Sequence, residues 1–555
     1  MANSQWRDLC LILLMGLLFI FWEIGSIDLL DPDEGMYGAI AREMVEGRDW
    51  ITPRFNGVRY LEKPPLYFWL TAITADVFGF SEWVVRLWTA LPALGTAIIT
   101  WRLGELLYGG KAGLASAVVM MSGVGVFRYV RVPATDFLLI FSISLSMYGF
   151  VKTALPGPPS TGSAQPWMFS RPLSLLFYLG IGLAVLSKGL VGLAFPLITV
   201  GLFLWFSGER MAPSRMNLRW GLLLFLALSV PWVFLSAWKN PGFFDFYIVD
   251  NQLLRFFHKR SFIEDDIPMV GIWALVVIAF FSLASFKLDH YFLPAIVPLS
   301  LMVGGLWAEA CSSWRPSRPL KWCLGVTALV CVSFGAGLLF FSDLLTPGAL
   351  LVGLAGLDGY YRILLHQGGE VPFASVSPFV SLLKDLGLVL VLGFPLSFIL
   401  FLSRWTKASF ITVLGVAGAI AMLVLQLYHV VEPHHSAKSV AQALVSRLRA
   451  NDAIVYEGGL EYSGGLPFYT GRKVYVLDGK RGDLDFGSRY AEARHLFLDA
   501  AKFTLLWEGS QRVFLVNRVP MEKSALIHVP LEKVFVIGRY GSHWLYANQP
   551  LADGG

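Results

Sequence analysis

The stretch Asp31–Pro65, DPDEGMYGAIAREMVEGRDWITPRFNGVRYLEKPP, gathers the residue types that group transfer needs. Asp31, Asp33 and Glu34 open it, and Glu62-Lys63 close it before two prolines. Sugar transfer to a hydroxyl requires a carboxylate beside the acceptor, which takes the proton as the new bond forms. It also requires cations on a departing phosphate, where negative charge grows. Arginine supplies a planar fork for this and lysine a point charge. Each residue also has a plain structural reading. Carboxylates at a helix start cap free N–H groups, and a lysine at an apolar boundary can simply snorkel. Carboxylates and a lysine bracketing one loop, next to an apolar run, favour chemistry at a membrane surface.

The elements that must position this loop are membrane helices. Of 555 residues, 55% are hydrophobic and only 15% charged, where a soluble chain carries about 25% charged residues. Apolar runs fall at 8–28, 84–107, 112–130, 134–153, 171–187, 189–208, 219–238, 270–286, 289–309, 320–342, 376–402 and 408–428, and each satisfies its backbone in lipid only as a helix. The sequence therefore predicts a polytopic α-helical membrane protein of about 12–13 transmembrane helices. The patch 66–80 reads as an interfacial helix. The first run, after Arg7, is long and lacks a small-residue cleavage pattern, so it reads as a retained span rather than a signal peptide.

Short basic connections at 102–111, 209–219, 315–321 and 404–407 mark the cytoplasmic side. The loop 31–66 and everything after 428 then face outward. One inconsistency follows. Three runs separate the basic connections at 209–219 and 315–321, and an odd number cannot begin and end on one side. Either 239–268 contains a further crossing or one basic connection breaks the rule. The segment 156–166, PGPPSTGSAQP, reads as a flexible loop.

From about His434 the composition changes. Ser436–Ala450 reads as an amphipathic helix, Arg489–Ala501 as another, and Ala453–Tyr456, Lys473–Leu477, Val513–Val516 and Val534–Ile537 as strands. The division is thus 1–430, a transmembrane catalytic part, and 431–555, a small α/β domain outside the bilayer.

Other charged residues stand where apolar ones are expected. Asp136 follows Thr135 at the start of a run, so a helix cap competes with a catalytic role. Lys188 interrupts an apolar stretch, where an ionisable group is costly unless it lies at a helix end. Arg128 and Arg131 could bind phosphate or pair with Asp136. Arg255, with His258, Lys259 and Arg260, forms an outward basic cluster suited to lipid headgroups or a phosphate. Lys287 and His290 border two runs, as anchors or as site residues. The adjacent His434-His435 cannot readily aim at one ion. The four cysteines, Cys10, Cys311, Cys323 and Cys331, have no metal-ligand spacing and read as small apolar residues.

The ordered pattern Asp33-Glu34-x-x-Tyr37, Ala41-Arg42-Glu43-Met44, Asp49-Trp50 and Tyr60-x-Glu62-Lys63-Pro64-Pro65-Leu66-Tyr67 resembles the bacterial aminoarabinose transferases of lipid A. These stand within the wider protein-mannosyltransferase-like group of the GT-C fold. Weaker matches are Thr135-Asp136, Ser187-Lys188-Gly189, Asn251-x-x-x-Arg255-Phe256, Phe281-Ser282 and Lys287-Leu288-x-His290-Tyr291, and Tyr462–Tyr469 (YSGGLPFY) resembles the small domain that ends those enzymes. Relatives usually carry an additional apolar span between the Arg-Phe and Phe-Ser elements, which this sequence lacks in plain form.

The resemblance implies a GT-C-like fold and an inverting transfer of a sugar, an aminoarabinose-like pentose or a hexose. The donor would be a polyprenyl-phosphate carrier such as undecaprenyl phosphate, and the acceptor a lipid or glycan such as lipid A. It implies catalytic roles for Asp33, Glu34 and Asp136, and donor-phosphate binding by Lys63 and Arg255, to which the reading of the residues themselves adds Arg128, Arg131 and Lys188 as candidates. Glu62, Tyr37, Tyr67, Lys287 and His290 would touch substrate or a metal, with Glu62 the candidate ligand of a divalent ion and no cofactor otherwise required. The expected setting is a monomer in a bacterial inner membrane, with the site and the C-terminal domain facing the periplasm. Net charge is only +5, with no long basic run, which speaks against nucleic acid. A lipid-linked-sugar transporter without chemistry is the competing class. Such proteins show repeats and midplane charges, and this sequence shows neither.

Overall fold

The computed structural model describes residues 2–154, 171–207, 216–247, 269–283, 289–312, 318–357, 361, 373, 375–477, 479 and 482–550. Arg255, His258, Lys259, Arg260, Lys287 and the segment 156–166 lie outside the described residues, and for His290 only the backbone is described.

Every apolar run becomes helix. In chain order these are α1 (Ala2–Gly16), α2 (Asp33–Gly47), α3 (Leu66–Phe78), α4 (Glu82–Tyr108), α5 (Gly110–Ser122), α6 (Val124–Val130), α7 (Asp136–Ala154), α8 (Arg171–Lys188) and α9 (Leu190–Ser207). Then follow α10 (Leu218–Lys239), α11 (Met269–Leu283), α12 (Ile296–Ser312), α13 (Arg318–Phe341), α14 (Pro347–Leu357), α15 (Ser377–Leu402) and α16 (Thr406–His435). By length and composition, eight helices among the described residues can cross a membrane, or nine when α5 and α6, bent by 58°, count as one span. The expected 12–13 included α1, which runs on through a π-helical turn at Leu17–Phe21, together with α8 and α11, which are shorter.

The two ends of the bundle differ. At one end Trp307, Ala310, Leu320, Leu324 and Phe401 pack together. A cavity of about 670 Å³ there is lined by Tyr108 to Ala112, Val270, Gly271 and Glu309. The basic connections at 102–111, 315–321 and 404–407 are attached to this end. At the other end, the ends of α4 and α10 meet the loop before α3: Arg86 bonds Glu34 and Lys239 bonds Asp49 at 2.8 Å. Asn240 lies at this second end, beside Thr52 and Arg59, and Val270 lines the cavity at the first; most of the segment between them, where the sequence left the odd count open, lies outside the described residues.

The loop before α3 folds as α2 followed by a two-stranded hairpin, β1 (Arg54–Phe55) and β2 (Val58–Arg59). Its turn is Asn56-Gly57, with φ of 56° and 79°, the left-handed pair that a two-residue hairpin requires. Glu43 of α2 accepts the Gly57 amide at 2.8 Å.

The C-terminal domain begins with α17 (Lys438–Val445) and holds a six-stranded sheet. Its strands are β3 (Ala453–Glu457), β4 (Tyr475–Leu477), β5 (Phe497–Leu498), β6 (Val513–Asn517), β7 (Phe535–Tyr540) and β8 (His543–Ala547), in the spatial order β5-β4-β3-β6-β8-β7. The first four in that order run parallel and the last two pair antiparallel. Two expectations fail here. Arg489–Ala501 is not one helix but a 3-10 turn, the short β5 and the start of a helix at Ala500. Asp499 caps that helix by accepting the Lys502 amide, and Phe497-Leu498 pair with β4 instead. Strand β8 was not expected at all.

Side-chain alternation along the central strands explains how the domain sits. Ala453, Val455, Val513 and Leu515 face a core with Phe503 and Trp507. Their neighbours Ile454, Tyr456, Phe514 and Val516 face a second core with Met36, Tyr37, Ile40, Phe55 and Tyr60 of the first loop. The sheet is thus covered on one face by its own helix and on the other by the loop that carries the candidate chemistry, so loop and domain share one core.

Candidate active site

The first loop is fixed from below by a buried arginine. Arg86 of α4 donates to the carbonyls of Ile24, Ile27 and Asp28, and its guanidinium meets Glu34 Oε2 at 2.6 Å, with both side chains buried. Burial pushes Glu34 up to about 6 despite the Arg86 charge. Glu34 also accepts the Leu30 amide. Both bonds fall on Oε2, so this oxygen of Glu34 holds the loop in place.

The loop is fixed from above by the C-terminal domain. Asp31 accepts the Gly465 amide at 2.9 Å and pairs with Arg518 at 3.3 Å. Burial raises its carboxyl to about 7, opposed by Arg518. Arg518 Nε also donates to His543 Nε2 at 3.0 Å, beside the Ser463 hydroxyl. Lys438 bridges Asp28 and Glu82, each at 2.7 Å. A Cβ on Gly35 would lie 2.1 Å from the Gly465 nitrogen, so two glycine backbones touch where α2 meets α18 (Gly465–Thr470).

Asp33 lies between these two fixed neighbours and is exposed, as the first residue of α2. The positive end of that helix dipole favours its charge. That charge is felt at Glu34, Tyr37, Tyr60 and Glu461. Tyr37 also feels Asp136 and Asp483, and Tyr60 feels Glu62. Asp33, Glu62, Asp136, Glu461 and Asp483 therefore surround one aromatic wall. In that wall Tyr37 packs 5.6 Å from Tyr67 and 5.4 Å from Phe68. Glu461 is raised to about 7 by burial and by the charges of Asp483 and Asp33. Tyr67 is fully buried and its hydroxyl donates to the Val85 carbonyl at 2.5 Å, so it builds the wall. Tyr37, 5% exposed, is wall as well.

Asp136 begins α7 and Lys188 ends α8, and the two form a mostly buried ion pair. Each sits where the helix dipole favours its sign. Lys188 thus lies at a helix end. Lys63 is half-buried beside Glu62 and makes no ion pair with a described residue. Arg131 is 2% exposed, and its guanidinium donates to the Trp22 and Phe127 carbonyls. It ties α6 to the end of the first helix. Arg128 stacks 4.9 Å from the Tyr129 ring. Among the described residues no three His, Cys, Asp or Glu side chains are grouped to hold a metal.

Sequence reasoning missed Arg86, Arg518, His543, Glu461 and Asp483. Glu461 immediately precedes the YSGGLPFY motif and had no other signal. The Asn56-Gly57 turn was legible and went unread.

Laid over solved structures, the chain matches ArnT from Cupriavidus metallidurans bound to undecaprenyl phosphate over 100% of both chains, with a TM-score of 0.79 and 22% identity. The chain has the fold of ArnT. It is therefore a GT-C-like helical membrane protein with a small C-terminal sheet domain. The profile of the dolichyl-phosphate-mannose-protein mannosyltransferase family matches residues 62–235. Two sequence relatives are undecaprenyl phosphate-alpha-4-amino-4-deoxy-L-arabinose arabinosyl transferases. The one from Yersinia pestis is 22% identical over 96% of this chain and 97% of its own length. The one from Aeromonas salmonicida is 25% identical over 58% of this chain and 64% of its own length. The resemblance read from the loop motif is thus met by sequence and by fold, and the similarity to ArnT spans both the bundle and the C-terminal domain.

Proposed function

We propose that this protein is an inverting glycosyltransferase that moves a sugar, an aminoarabinose-like pentose or a hexose, from a polyprenyl-phosphate carrier to an outward-facing acceptor such as lipid A. The observation that carries this reading is the different fates of three neighbouring carboxylates. Asp31 and Glu34 are buried and bonded to Arg518 and Arg86, whereas Asp33 between them is exposed. A loop clamped on both sides presents one reactive carboxylate, the preorganisation that group transfer rewards.

In this reading Asp33 takes the proton of the acceptor hydroxyl while that oxygen attacks the anomeric carbon from the face opposite the carrier phosphate. The C–O bond to the phosphate breaks, and its electron pair leaves with the carrier. Lys63 and Arg255 neutralise the departing phosphate, and Asp136 holds Lys188 nearby. Both the donor and the outward acceptor lie in or beside the bilayer in this reading, which sets the chain in a bacterial inner membrane; the Lys/Arg-rich connections support an orientation with the site and the C-terminal domain facing the periplasm. Asp33, Lys63, Asp136 and Lys188 stand in the first loop or at helix ends, which disfavours a transporter with a midplane site. The test is reconstitution of the purified chain with a polyprenyl-phosphate sugar and an acceptor glycolipid. Release of polyprenyl phosphate in step with glycosylated acceptor supports the reading. Movement of the donor across the bilayer without bond cleavage refutes it.

A further inference from the structure

On the C-terminal domain, a groove of about 430 Å³ opens at the edge where β3, β4 and β5 begin. The opposite edge, where β3 and β6 end, leads towards Asp31 and Asp33 through Glu461 and Arg518. One strand length, roughly 17 Å, separates the two edges.

The charges around this groove are unbalanced. Its walls include Arg472, Lys473, His495 and Asp452. The carboxylate is already taken, because Asp452 is bonded by Arg512 in a pair whose side chains are 5% and 10% exposed. Arg472 donates to the carbonyls of Ala450, Arg449 and Asp452 and to no carboxylate. These bonds hold its guanidinium plane against the wall. Lys473 and His495 are exposed. The ammonium of Lys473 stands by Gly57, the hairpin turn of the first loop, within electrostatic reach of Glu43. Arg447 and Arg449 stand exposed in the chain leading from α17 to Asn451 at the rim. A concave site with an immobilised guanidinium and an imidazole in its walls, an ammonium at the adjoining hairpin turn, and one acid neutralised internally has the composition of an anion site.

We propose that this groove binds a phosphate-type anion and serves as a second anchor for a polyanionic acceptor, whose reacting end lies at Asp33. The anchor role rests on the transferase reading above, whereas anion binding does not. A glycolipid headgroup carrying two phosphates offers one charged group to each place, and a singly charged acceptor offers a group to only one.

The test uses the full chain in detergent, with inorganic pyrophosphate as the probe in calorimetric titration. Wild type binds it, and Lys473→Gln combined with His495→Glu weakens binding about tenfold, the loss expected for one charge-assisted contact. Arg489→Gln serves as the control, since Arg489 lies outside the groove and pairs with Asp485. Equal binding by wild type and the double variant, or no binding by wild type, overturns the proposal. A second arm compares KM for acceptor glycolipids with one and two phosphates. The double variant is expected to erase the preference for two. Retention of that preference, with pyrophosphate binding lost, overturns the anchor role and leaves a site for free anions. Absence of any transfer by wild type defeats the transferase reading, while the pyrophosphate arm still reports on the groove.

Discussion

Asp31 in the first loop and Arg518 after the central sheet strand are 487 residues apart, yet their side chains meet at 3.3 Å, 1% and 7% exposed. The pair joins the two parts of the chain at the position next to the exposed Asp33. Removing one partner strands the other in a buried setting. Asp31→Ala is expected to cost about 3–5 kcal/mol, and Asp31→Ala with Arg518→Met to recover more than half of it. Thermal denaturation of the single and double variants checks this. Additive losses would show that the two side chains are not coupled.

The same carboxyl makes stability depend on pH. Asp31 is raised to about 7, Glu34 to about 6 and Glu461 to about 7, in each case chiefly by burial. A raised folded-state value means that the fold prefers the protonated form. The stability these groups contribute is fully present below their unfolded values, near 4, and is lost as pH rises through 6 to 7. The Tm of the purified chain should therefore fall between pH 5.5 and pH 8, and Asp31→Asn should flatten that slope. An unchanged slope in Asp31→Asn would remove Asp31 as a cause.

At Gly35 the constraint is steric. Its Cβ position falls 2.1 Å from the Gly465 nitrogen, and backbone cannot yield as a side-chain tip does. Gly35→Ala must push α18 away from α2. The expected result is faster proteolytic cleavage between 436 and 465 and loss of transfer. Wild-type protease resistance in Gly35→Ala would show that the two glycines do not need to touch.

Glu34 and Asp33 are adjacent but should fail differently. Glu34→Ala leaves the buried Arg86 guanidinium without its partner and should lower Tm sharply, while molecules that remain folded keep measurable transfer. Asp33→Asn should leave Tm within about 1–2 °C, as expected of an exposed polar change, and lower kcat by 10²-fold or more, the order contributed by a general base. Both readouts come from one purified preparation of each variant.

Composition made the bundle legible: each of the twelve apolar runs is a helix, because lipid leaves the backbone no alternative. The first loop was legible as a motif, but the roles within it were not. Asp31, Asp33 and Glu34 look alike in sequence, and only the distant Arg86 and Arg518 decide which carboxylates are consumed. The carbonyl partners of Arg131, among them Trp22 and Phe127, are backbone groups that no sequence pattern marks. Strand β8, HWLYA, was hidden because its His543 and Trp544 do not read as core. In the fold His543 is fully buried beside Ser463 and Arg518.

The measurement that tests the central claim most directly is mass spectrometry of the outer-leaflet lipids, lipid A included. It compares cells making the wild-type chain, cells lacking it and cells making Asp33→Asn at equal abundance. The account predicts a pentose- or hexose-sized added mass with the wild-type chain only. The same added mass with Asp33→Asn as with wild type would contradict it.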